Sequence, residues 1–246
     1  MSPDGVAPPA ADRIAGGLPD PRLPEAVLFD LDGTLIDSVP DIAAATNELL
    51  ARHDLHALGV DEVRQMIGHG VSTLVLRAFA ARSIPLQGEA LEARVAEMMP
   101  IYGRHLVNLT TVLPGASACL ETLALAGVRL AVVSNKPMPF TQAICDHYGF
   151  SRHVAAVQGA EPHIAKKPAP DMLYAALDAM GAARTRAVMV GDGQADVQAA
   201  RAAGLPVVIV RGGYGAEPAE SFAPDLVIDG LSDLADALRR LGGPGT

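Results

Sequence analysis

The nine residues from Ala26 to Thr34 read AVLFDLDGT, and this stretch decides the fold. It begins as a short apolar run and ends in Asp, Gly and Thr, a pattern typical of a strand buried inside a sheet. A strand over residues 26–31 carries Asp30 and Asp32 at its carboxyl end. Ligands of parallel sheets bind beyond the carboxyl ends of the strands. The two aspartates are therefore the first candidates for a functional site.

The segment that follows, from Val39 to about Val112, has the apolar spacing of helices. His, Gly and Pro residues divide it into several short helices. The pattern predicts helices near residues 42–52, 61–67, 72–82 and 89–106. We therefore expect an all-helical block inserted after the first strand.

A different repeat begins after Pro114-Gly115, where helices alternate with short β-branched strands. A glycine follows several of these helices, in the position where a left-handed residue without a β-carbon is favoured. This alternation predicts a parallel sheet with helices on both faces. The predicted strands cover residues 128–133, 187–190, 207–210 and 225–228, and the predicted helices end at residues 126, 148, 180, 203 and 241.

These patterns predict an α/β protein with a Rossmann-like parallel sheet core, formed by residues 25–38 and 113–246. A small all-helical cap domain, residues 39–112, is inserted after the first strand. Residues 1–24 are rich in Pro, Ala and Gly and lack the basic start and apolar stretch of a secretory signal. We predict that this first segment is a disordered tail.

The composition limits the classes of function. The chain has 246 residues and a net charge of −9, which argues against nonspecific nucleic-acid binding. No apolar run approaches the roughly 18–20 residues that a membrane helix needs, so we expect no membrane partner. Cys119 and Cys145 form no C-x-x-C pair, which fits a reducing cytoplasm. We expect a cytoplasmic monomer or homodimer that acts on a small molecule.

Four polar groups follow predicted strands: DLDGT (30–34), SNK (134–136), KKP (166–168), and GD (191–192) with Asp196. A parallel sheet would bring them together at one edge. Neighbouring carboxylates cannot all ionise cheaply in a desolvated pocket unless cations are bound. The three lysines of the chain all lie within these groups, and hard oxygen ligands of this kind suit Mg²⁺.

The stretch DLDGTL (30–35) resembles the nucleophile loop of the haloacid dehalogenase superfamily, and the other groups match its remaining motifs in order. The resemblance covers nearly all of residues 26–241, and the helical insertion is similar to that family's small cap domain. Three further stretches resemble the phosphoglycolate phosphatase branch: SNKP (134–137), KPAP (167–170) and GGYG (212–215). The resemblance implies a hydrolase for a small phosphorylated metabolite, with Mg²⁺ as its cofactor.

By this resemblance Asp30 would attack phosphorus and form an aspartyl-phosphate, which replaces one difficult displacement by two easier ones. Asp32 would protonate the leaving alkoxide and then deprotonate the water that hydrolyses the intermediate. Lys167 would neutralise the charge shared by Asp30 and the transferring phosphoryl group. Lys166 adjoins it, and we assign the role to Lys167 because the family motif puts its lysine directly before proline.

The resemblance also implies a metal site. Asp30, the Asp32 carbonyl and Asp192 would bind Mg²⁺. Asp196, one helical turn further on, would join the metal site through a bound water or orient Lys167. Helix capping remains an alternative for Asp196, since the residues after Asp192 depart from the usual family pattern. The predicted phosphate-binding residues are Gly33, Thr34, Ser134 and Asn135.

A substrate carboxylate would need a cation from the cap. Residues 68–70 read GHG, which predicts a loop that faces the site. We therefore assign His69 and Arg77 to substrate binding, with Arg64 as a further candidate. An ordinary surface or intrahelical role remains the alternative for each.

The leading substrate candidate is 2-phosphoglycolate, and another small sugar phosphate or pyrophosphate is the alternative. Dehalogenases of the family lack the second aspartate, which is present here as Asp32. A phosphonate hydrolase would need a cap lysine, and residues 39–112 contain none. A sugar-phosphate mutase remains open, because it differs mainly in protecting the phospho-enzyme from water. A non-enzymatic phosphate sensor of the receiver type is disfavoured, because receivers lack the helical insertion.

Overall fold

The computed structural model describes residues 20–214 and 217–242. Within these ranges six strands form one sheet in which every neighbouring pair is parallel. Two further strands, β2 and β3, pair in antiparallel fashion. The strands are β1 (Ala26–Phe29), β2 (Ile36–Asp37), β3 (Thr111–Val112), β4 (Arg129–Pro137), β5 (Ala156–Ala160), β6 (Ala187–Gly191), β7 (Val207–Val210) and β8 (Leu226–Ile228). The order across the large sheet is β5-β4-β1-β6-β7-β8, so β1 lies inside it.

The register of β1 sets Phe29, its last residue, beside residues of the two neighbouring strands. Phe29 pairs with Val132 of β4 on one side and with Val190 of β6 on the other. Asp30 therefore leaves the sheet at the edge toward which β4 and β6 also run, although β4 continues to Pro137 and β6 to Gly191. The predicted α/β fold is confirmed, and the predicted strand at residues 26–31 lies in the sheet interior but ends two residues earlier, at Phe29.

Both faces of the sheet are buried, as parallel sheets require. Val27 and Phe29 of β1 face one apolar cluster, and Ala26 and Leu28 face the other. Helices cover both faces: α5 (Ala116–Leu125), α6 (Met138–His147) and α9 (Leu234–Leu241) pack on the first cluster, and α7 (Asp171–Met180) and α8 (Gln194–Ala203) on the second.

Strand β5 does not appear in the sequence-based prediction. Its sequence, AVQGA, contains no sustained apolar run, and four of its five residues are only partly buried. It lies at the edge of the sheet beside β4. An edge strand needs less apolar surface than an interior one, so its pattern is weak.

Four helices form the cap and have their own apolar cluster. They are α1 (Val39–Ala51), α2 (Val60–Arg64), α3 (Val71–Ala80) and α4 (Gly88–Arg104). Ile42, Leu74, Phe79 and Met98 are among the side chains buried in this cluster. The cap therefore has an apolar core separate from the two clusters of the sheet.

The chain enters and leaves the cap side by side. Strand β2 precedes α1, and β3 pairs with it on the return. Buried Asp41 joins the two connections, because its Oδ2 accepts hydrogen bonds from the backbone N–H groups of Leu109 (2.9 Å) and Thr110 (2.7 Å) and from the Thr110 hydroxyl (2.7 Å).

Residues 20–24, which the sequence assigns to the tail, pack onto the core. Leu23 is buried in the first sheet cluster, and Asp20 accepts a hydrogen bond from Arg239 of α9 at 3.0 Å. Residues 1–19, the remainder of the predicted tail before this segment, lie outside the described residues. Among the described helices, none is long and apolar enough to cross a membrane.

Candidate active site

A cavity of about 400 Å³ lies between the carboxyl edge of the sheet and the cap. The sheet side contributes Asp30, Lys167 and Asp192, and the cap contributes the loop at residues 67–71 and Tyr102 of α4. The cavity thus forms where a parallel sheet is expected to bind its ligand.

Asp30 and Lys167 are in direct contact at the floor of this cavity. The Lys167 ammonium donates hydrogen bonds to Asp30 Oδ1 (2.7 Å), Asp196 Oδ1 (2.7 Å) and the Val133 carbonyl (2.8 Å). All three of its N–H bonds are therefore used, which fixes its position. Asp30 Oδ2 accepts no hydrogen bond from residues 20–214 or 217–242. Lys166, by contrast, is exposed.

Asp192 is held by the loops around it. Its Oδ2 accepts a hydrogen bond from the backbone N–H of Tyr214 at 2.8 Å, and its Oδ1 accepts one from the Thr34 hydroxyl at 3.4 Å. Gly33 has a φ of +89°, and a β-carbon there would lie 2.5 Å from Asp192 Oδ2. Gly33 and Thr34, predicted to bind phosphate, thus contact Asp192, and neither lines the cavity that the described residues form.

Asp196 lies in the first turn of helix α8 and has protein partners on both carboxylate oxygens. Its Oδ2 accepts hydrogen bonds from the backbone N–H groups of Asp192 (3.2 Å) and Gly193 (3.1 Å). Its Oδ1 accepts the bond from Lys167. Asp196 therefore orients the lysine and also caps the helix, two roles that the sequence left as alternatives to metal contact.

The charges at this site do not balance. Burial raises the pKa of Asp30 to about 7, although Lys167 opposes the shift. Burial also raises the pKa of Asp192 well above its ordinary value, and the neighbouring Asp30 and Asp196 carboxylates add to the shift. Burial alone lowers the pKa of Lys167, but the Asp196 and Asp30 carboxylates outweigh it and raise the pKa. Three buried carboxyl groups thus lie near one ammonium, and two of them, Asp30 and Asp196, contact it.

These carboxyl groups fit a divalent metal ion. One oxygen from each of Asp30, Asp192 and Asp196 lies within 4.8 Å of the others. Carboxylate oxygens are hard ligands, and an added cation would offset the excess negative charge. The donor set and its charge therefore suit a hard divalent cation.

Asp32 lies apart from that group and has different partners. Its Oδ1 accepts hydrogen bonds from the Ser38 hydroxyl at 2.5 Å and from the Lys136 ammonium at 2.6 Å. The Lys136 ammonium also donates to the Tyr102 hydroxyl. Burial lowers the pKa of Lys136, but the Asp32 carboxylate and Tyr102 outweigh it and raise the pKa. Burial raises the pKa of Tyr102 to about 12.

Ser134 and Asn135 both line the cavity and both have protein partners. The Ser134 hydroxyl accepts a hydrogen bond from the backbone N–H of Lys136 at 3.2 Å. The Asn135 amide donates to the carbonyls of Gly68 (3.0 Å) and Lys167 (2.8 Å), so it joins the cap loop to the core. Its Oδ1 is buried without a hydrogen-bond partner among the described residues.

The predicted cap cations stand at different places. His69 and Arg77 both line the cavity, and Arg77 also donates to the Met66 carbonyl at 3.2 Å. Partial burial lowers the pKa of His69, and the nearby charges of Arg77 and Lys166 add to this. Arg64 instead lies 3.8 Å from the Asp37 carboxylate at the domain connection.

Sequence reasoning gave no role to Lys136, Tyr102, Ser38 or Tyr214. The Tyr214 hydroxyl accepts a hydrogen bond from the Ser38 N–H at 2.7 Å. Two of them carried a signal: Lys136 is one of three lysines in the chain and directly follows Ser134-Asn135, and Tyr214 lies in the GGYG stretch at residues 212–215. The pairing of Tyr102 with this lysine depends on how the cap sits on the core, which no local pattern reveals.

Known proteins of one family are similar to this chain. The pattern of the haloacid dehalogenase-like hydrolases matches residues 24–204. The chain is 40% identical over 220 residues to a phosphoglycolate phosphatase of Rhodospirillum rubrum, covering 88% of this chain and 91% of the relative. It is 39% identical over 211 residues to a phosphoglycolate phosphatase of Caulobacter vibrioides, covering 86% of this chain and 89% of that relative.

A solved structure is similar over almost the same length. It is that of a predicted phosphoglycolate phosphatase from Haemophilus somnus 129pt, with a TM-score of 0.81 and 30% identity. The match covers 87% of this chain and 97% of the other. The motifs, the fold and these relatives agree, and the chain belongs to the haloacid dehalogenase-like hydrolases.

Proposed function

We propose that this protein is a Mg²⁺-dependent phosphatase that hydrolyses 2-phosphoglycolate through an aspartyl-phosphate on Asp30. One observation carries the proposal: Lys167 holds Asp30 Oδ1 at 2.7 Å and leaves Asp30 Oδ2 without a partner among the described residues. A carboxylate with one fixed and one free oxygen, next to a buried cation, is suited to nucleophilic attack on an anionic phosphate.

The first half of the reaction forms the intermediate. Asp30 Oδ2 attacks phosphorus, and the bond from phosphorus to the ester oxygen breaks as the bond to Asp30 forms. Asp32 donates its proton to the departing alkoxide, so the alcohol leaves neutral. Lys167 offsets part of the charge that accumulates between Asp30 and the phosphoryl oxygens.

The second half releases phosphate. A water attacks the phosphorus of the aspartyl-phosphate, and Asp32, now a carboxylate, accepts the water's proton. The bond from Asp30 to phosphorus breaks, which restores the Asp30 carboxylate and frees inorganic phosphate. Asp32 ends protonated, ready for the next ester.

The metal would be held by Asp30, the Asp32 carbonyl and Asp192. Asp196 Oδ1 contacts the Lys167 ammonium, and its Oδ2 accepts two backbone hydrogen bonds, so we assign Asp196 to orienting Lys167. A bound Mg²⁺ supplies positive charge that offsets the repulsion between the carboxylates and the phosphate. The unbalanced charge of the carboxyl cluster supports this assignment.

The substrate assignment rests on the cap and on the relatives. His69 and Arg77 line the cavity on the cap side and could bind the carboxylate of a small phosphorylated acid. A cavity of about 400 Å³ suits a small ester. The two relatives named above, at 40% and 39% identity, are called phosphoglycolate phosphatases.

The test is phosphate release from a panel of 2-phosphoglycolate, glucose phosphates, pyrophosphate and para-nitrophenyl phosphate, with Mg²⁺ and with a chelator. Asp30→Asn is measured in parallel as the matched nucleophile variant. We expect Mg²⁺-dependent turnover that is highest on 2-phosphoglycolate and absent in Asp30→Asn.

Other outcomes separate the parts of the proposal. Highest turnover on a sugar phosphate or pyrophosphate would retain the phosphatase and reject the substrate. Turnover that requires a sugar bisphosphate would indicate a mutase. Activity that persists in Asp30→Asn would show that another group is the nucleophile.

A further inference from the structure

Lys136 is a buried lysine that the proposed reaction does not use. It follows Ser134-Asn135 near the end of β4 and is only 5% exposed. Burying an ammonium is costly unless it is paired and hydrogen-bonded. Here its partners are the Asp32 carboxylate and the Tyr102 hydroxyl. The buried positive charge of Lys136 is therefore paired with Asp32, the residue assigned to proton transfer.

The two oxygens of Asp32 are not equivalent. Ser38 at 2.5 Å and Lys136 at 2.6 Å both donate to Oδ1. Oδ2 accepts no hydrogen bond from residues 20–214 or 217–242, and it is not among their buried unpaired atoms. Asp32 also lines the cavity. The oxygen that remains free to exchange a proton with the ester or with water is therefore Oδ2.

The two donors to Oδ1 come from elements of different kinds. Ser38 lies where the chain passes from β2 into the cap helix α1, whereas Lys136 lies near the end of β4, in the stretch between Val133 and Pro137 where the pairing with β5 is irregular. The backbone of Lys136 is held there by side chains of the core: its N–H donates to the Ser134 hydroxyl at 3.2 Å, and its carbonyl accepts a hydrogen bond from the Thr141 hydroxyl at 3.0 Å. The lysine is therefore the donor that relates the Asp32 carboxylate to the core side of the cavity.

The lysine is held in turn by the cap. Tyr102 lies on α4, is buried, and packs edge-on against Phe140 of the core helix α6, with ring centroids 5.3 Å apart. Its hydroxyl accepts a hydrogen bond from Lys136. A chain of contacts thus runs from the cap through Tyr102 and Lys136 to Asp32.

We propose that Lys136 is a positioning residue, which fixes Asp32 through Oδ1 so that Oδ2 faces the ester oxygen, and that Tyr102 holds Lys136 in place from the cap. The inference rests on the proposed function, because it assumes that Asp32 donates a proton to the leaving group. Lys136 itself contacts neither the nucleophile nor the phosphate in this assignment.

The test compares kcat/KM on three esters: 2-phosphoglycolate, phenyl phosphate and para-nitrophenyl phosphate. kcat/KM reports the steps up to formation of the aspartyl-phosphate, so later hydrolysis does not enter it. An alkoxide needs a proton to leave, phenolate needs it less, and para-nitrophenolate hardly at all. General acid catalysis contributes on the order of 10²–10⁴-fold where it is needed.

The variants are Lys136→Met, which removes the ammonium but keeps an unbranched side chain, and Tyr102→Phe, which removes one oxygen. The matched control is Lys166→Met, at an exposed lysine in the same part of the chain. For Lys136→Met we expect kcat/KM to fall about 100-fold on 2-phosphoglycolate, less on phenyl phosphate, and below about fivefold on para-nitrophenyl phosphate. For Tyr102→Phe we expect the losses in kcat/KM to rank the three esters in the same order, with each loss smaller.

Three results would overturn the inference. Equal losses on all three esters would mean that Lys136 supports the fold or binds the phosphate. A loss on 2-phosphoglycolate alone, with both aryl esters unaffected, would mean that Lys136 binds the substrate carboxylate. If Lys136→Met does not fold, the test rests on Tyr102→Phe, and an unchanged kcat/KM on all three esters in that variant would also reject the inference.

The proposed function is tested separately in the same series. If the wild type hydrolyses the esters and Asp30→Asn does not, the phosphatase stands whatever Lys136→Met shows. If the wild type hydrolyses none of them, or Asp30→Asn retains activity, the proposed function fails and the positioning role falls with it.

Discussion

Asp30 should make the metal-free protein less stable as the pH rises. Burial raises the pKa of Asp30 to about 7 from an ordinary value of 3.8, although Lys167 opposes the shift. Asp30→Asn keeps the shape of the side chain and an oxygen that can accept the hydrogen bond from Lys167, but it cannot ionise. The difference in free energy of unfolding between the two proteins therefore reports the charge on Asp30 together with its effect on the neighbouring Asp192 carboxyl.

The sign follows from proton binding. A carboxyl group with a raised pKa binds more protons in the folded state than in the unfolded state, so stability is lost as the pH rises through the window between the two values. For Asp30 this window runs from about 4 to about 7. Each unit corresponds to about 1.4 kcal/mol, so the full loss is about 4 kcal/mol. In a domain of this size that is a Tm change of roughly 8–16 °C.

The measurement is urea unfolding of both proteins from pH 4 to pH 8 in the presence of a chelator. We expect the wild type to lose about 4 kcal/mol relative to Asp30→Asn across this range, with the change complete above the folded-state pKa. Saturating Mg²⁺ at pH 8 should stabilise the wild type more than the variant, since a ligand that binds the folded state stabilises it. Parallel stability curves for the two proteins in chelator would refute the reasoning.

Three further predictions concern other buried groups. Lys167→Met should lower kcat on the order of 10³-fold in steady-state phosphate release, because it removes the charge beside the nucleophile, whereas Lys166→Met should stay within about threefold. Asp41→Asn should reduce the free energy of unfolding in urea by about 1–3 kcal/mol, because the three groups that donate hydrogen bonds to Asp41 Oδ2 lose a carboxylate partner. An unchanged midpoint of urea unfolding would contradict this. Burial raises the pKa of Cys119 and of Cys145 to about 12, so iodoacetamide at pH 8 should leave the native protein unlabelled by mass spectrometry and label it in urea.

The sequence predicted the sheet well where burial leaves a strong pattern. Strand β1 is an unbroken apolar run because both of its faces are covered, and the helices that follow end in glycines. Strand β5 was not predicted, because an edge strand that contains a polar residue and a glycine has no such pattern. Strands are therefore easier to predict from the sequence when their residues are deeply buried.

The site was predictable to the extent that its residues lie next to strand ends. Asp30 and Asp192 follow neighbouring strands, so the topology alone brings them together. The hydrogen-bond partners of Asp32 could not be predicted from the positions of strand ends. Ser38 and Tyr102 belong to the connection and to the cap, and their contacts depend on how two domains pack.

The glycine and threonine of the first motif show how a motif can be recognised before its physical role is. The resemblance suggested that Gly33 and Thr34 bind phosphate, which stays a prediction, and the structure shows both of them next to the Asp192 carboxylate. At Gly33 a side chain would be strained by the φ of +89° and would also collide with the Asp192 carboxylate. The Asp192 carboxylate can approach the backbone of the first loop this closely only because Gly33 has no side chain. The DLDGT motif therefore reflects both the chemistry of its aspartates and the packing that lets Asp192 approach the loop. This packing becomes visible only when strand β6, which precedes Asp192, is in place.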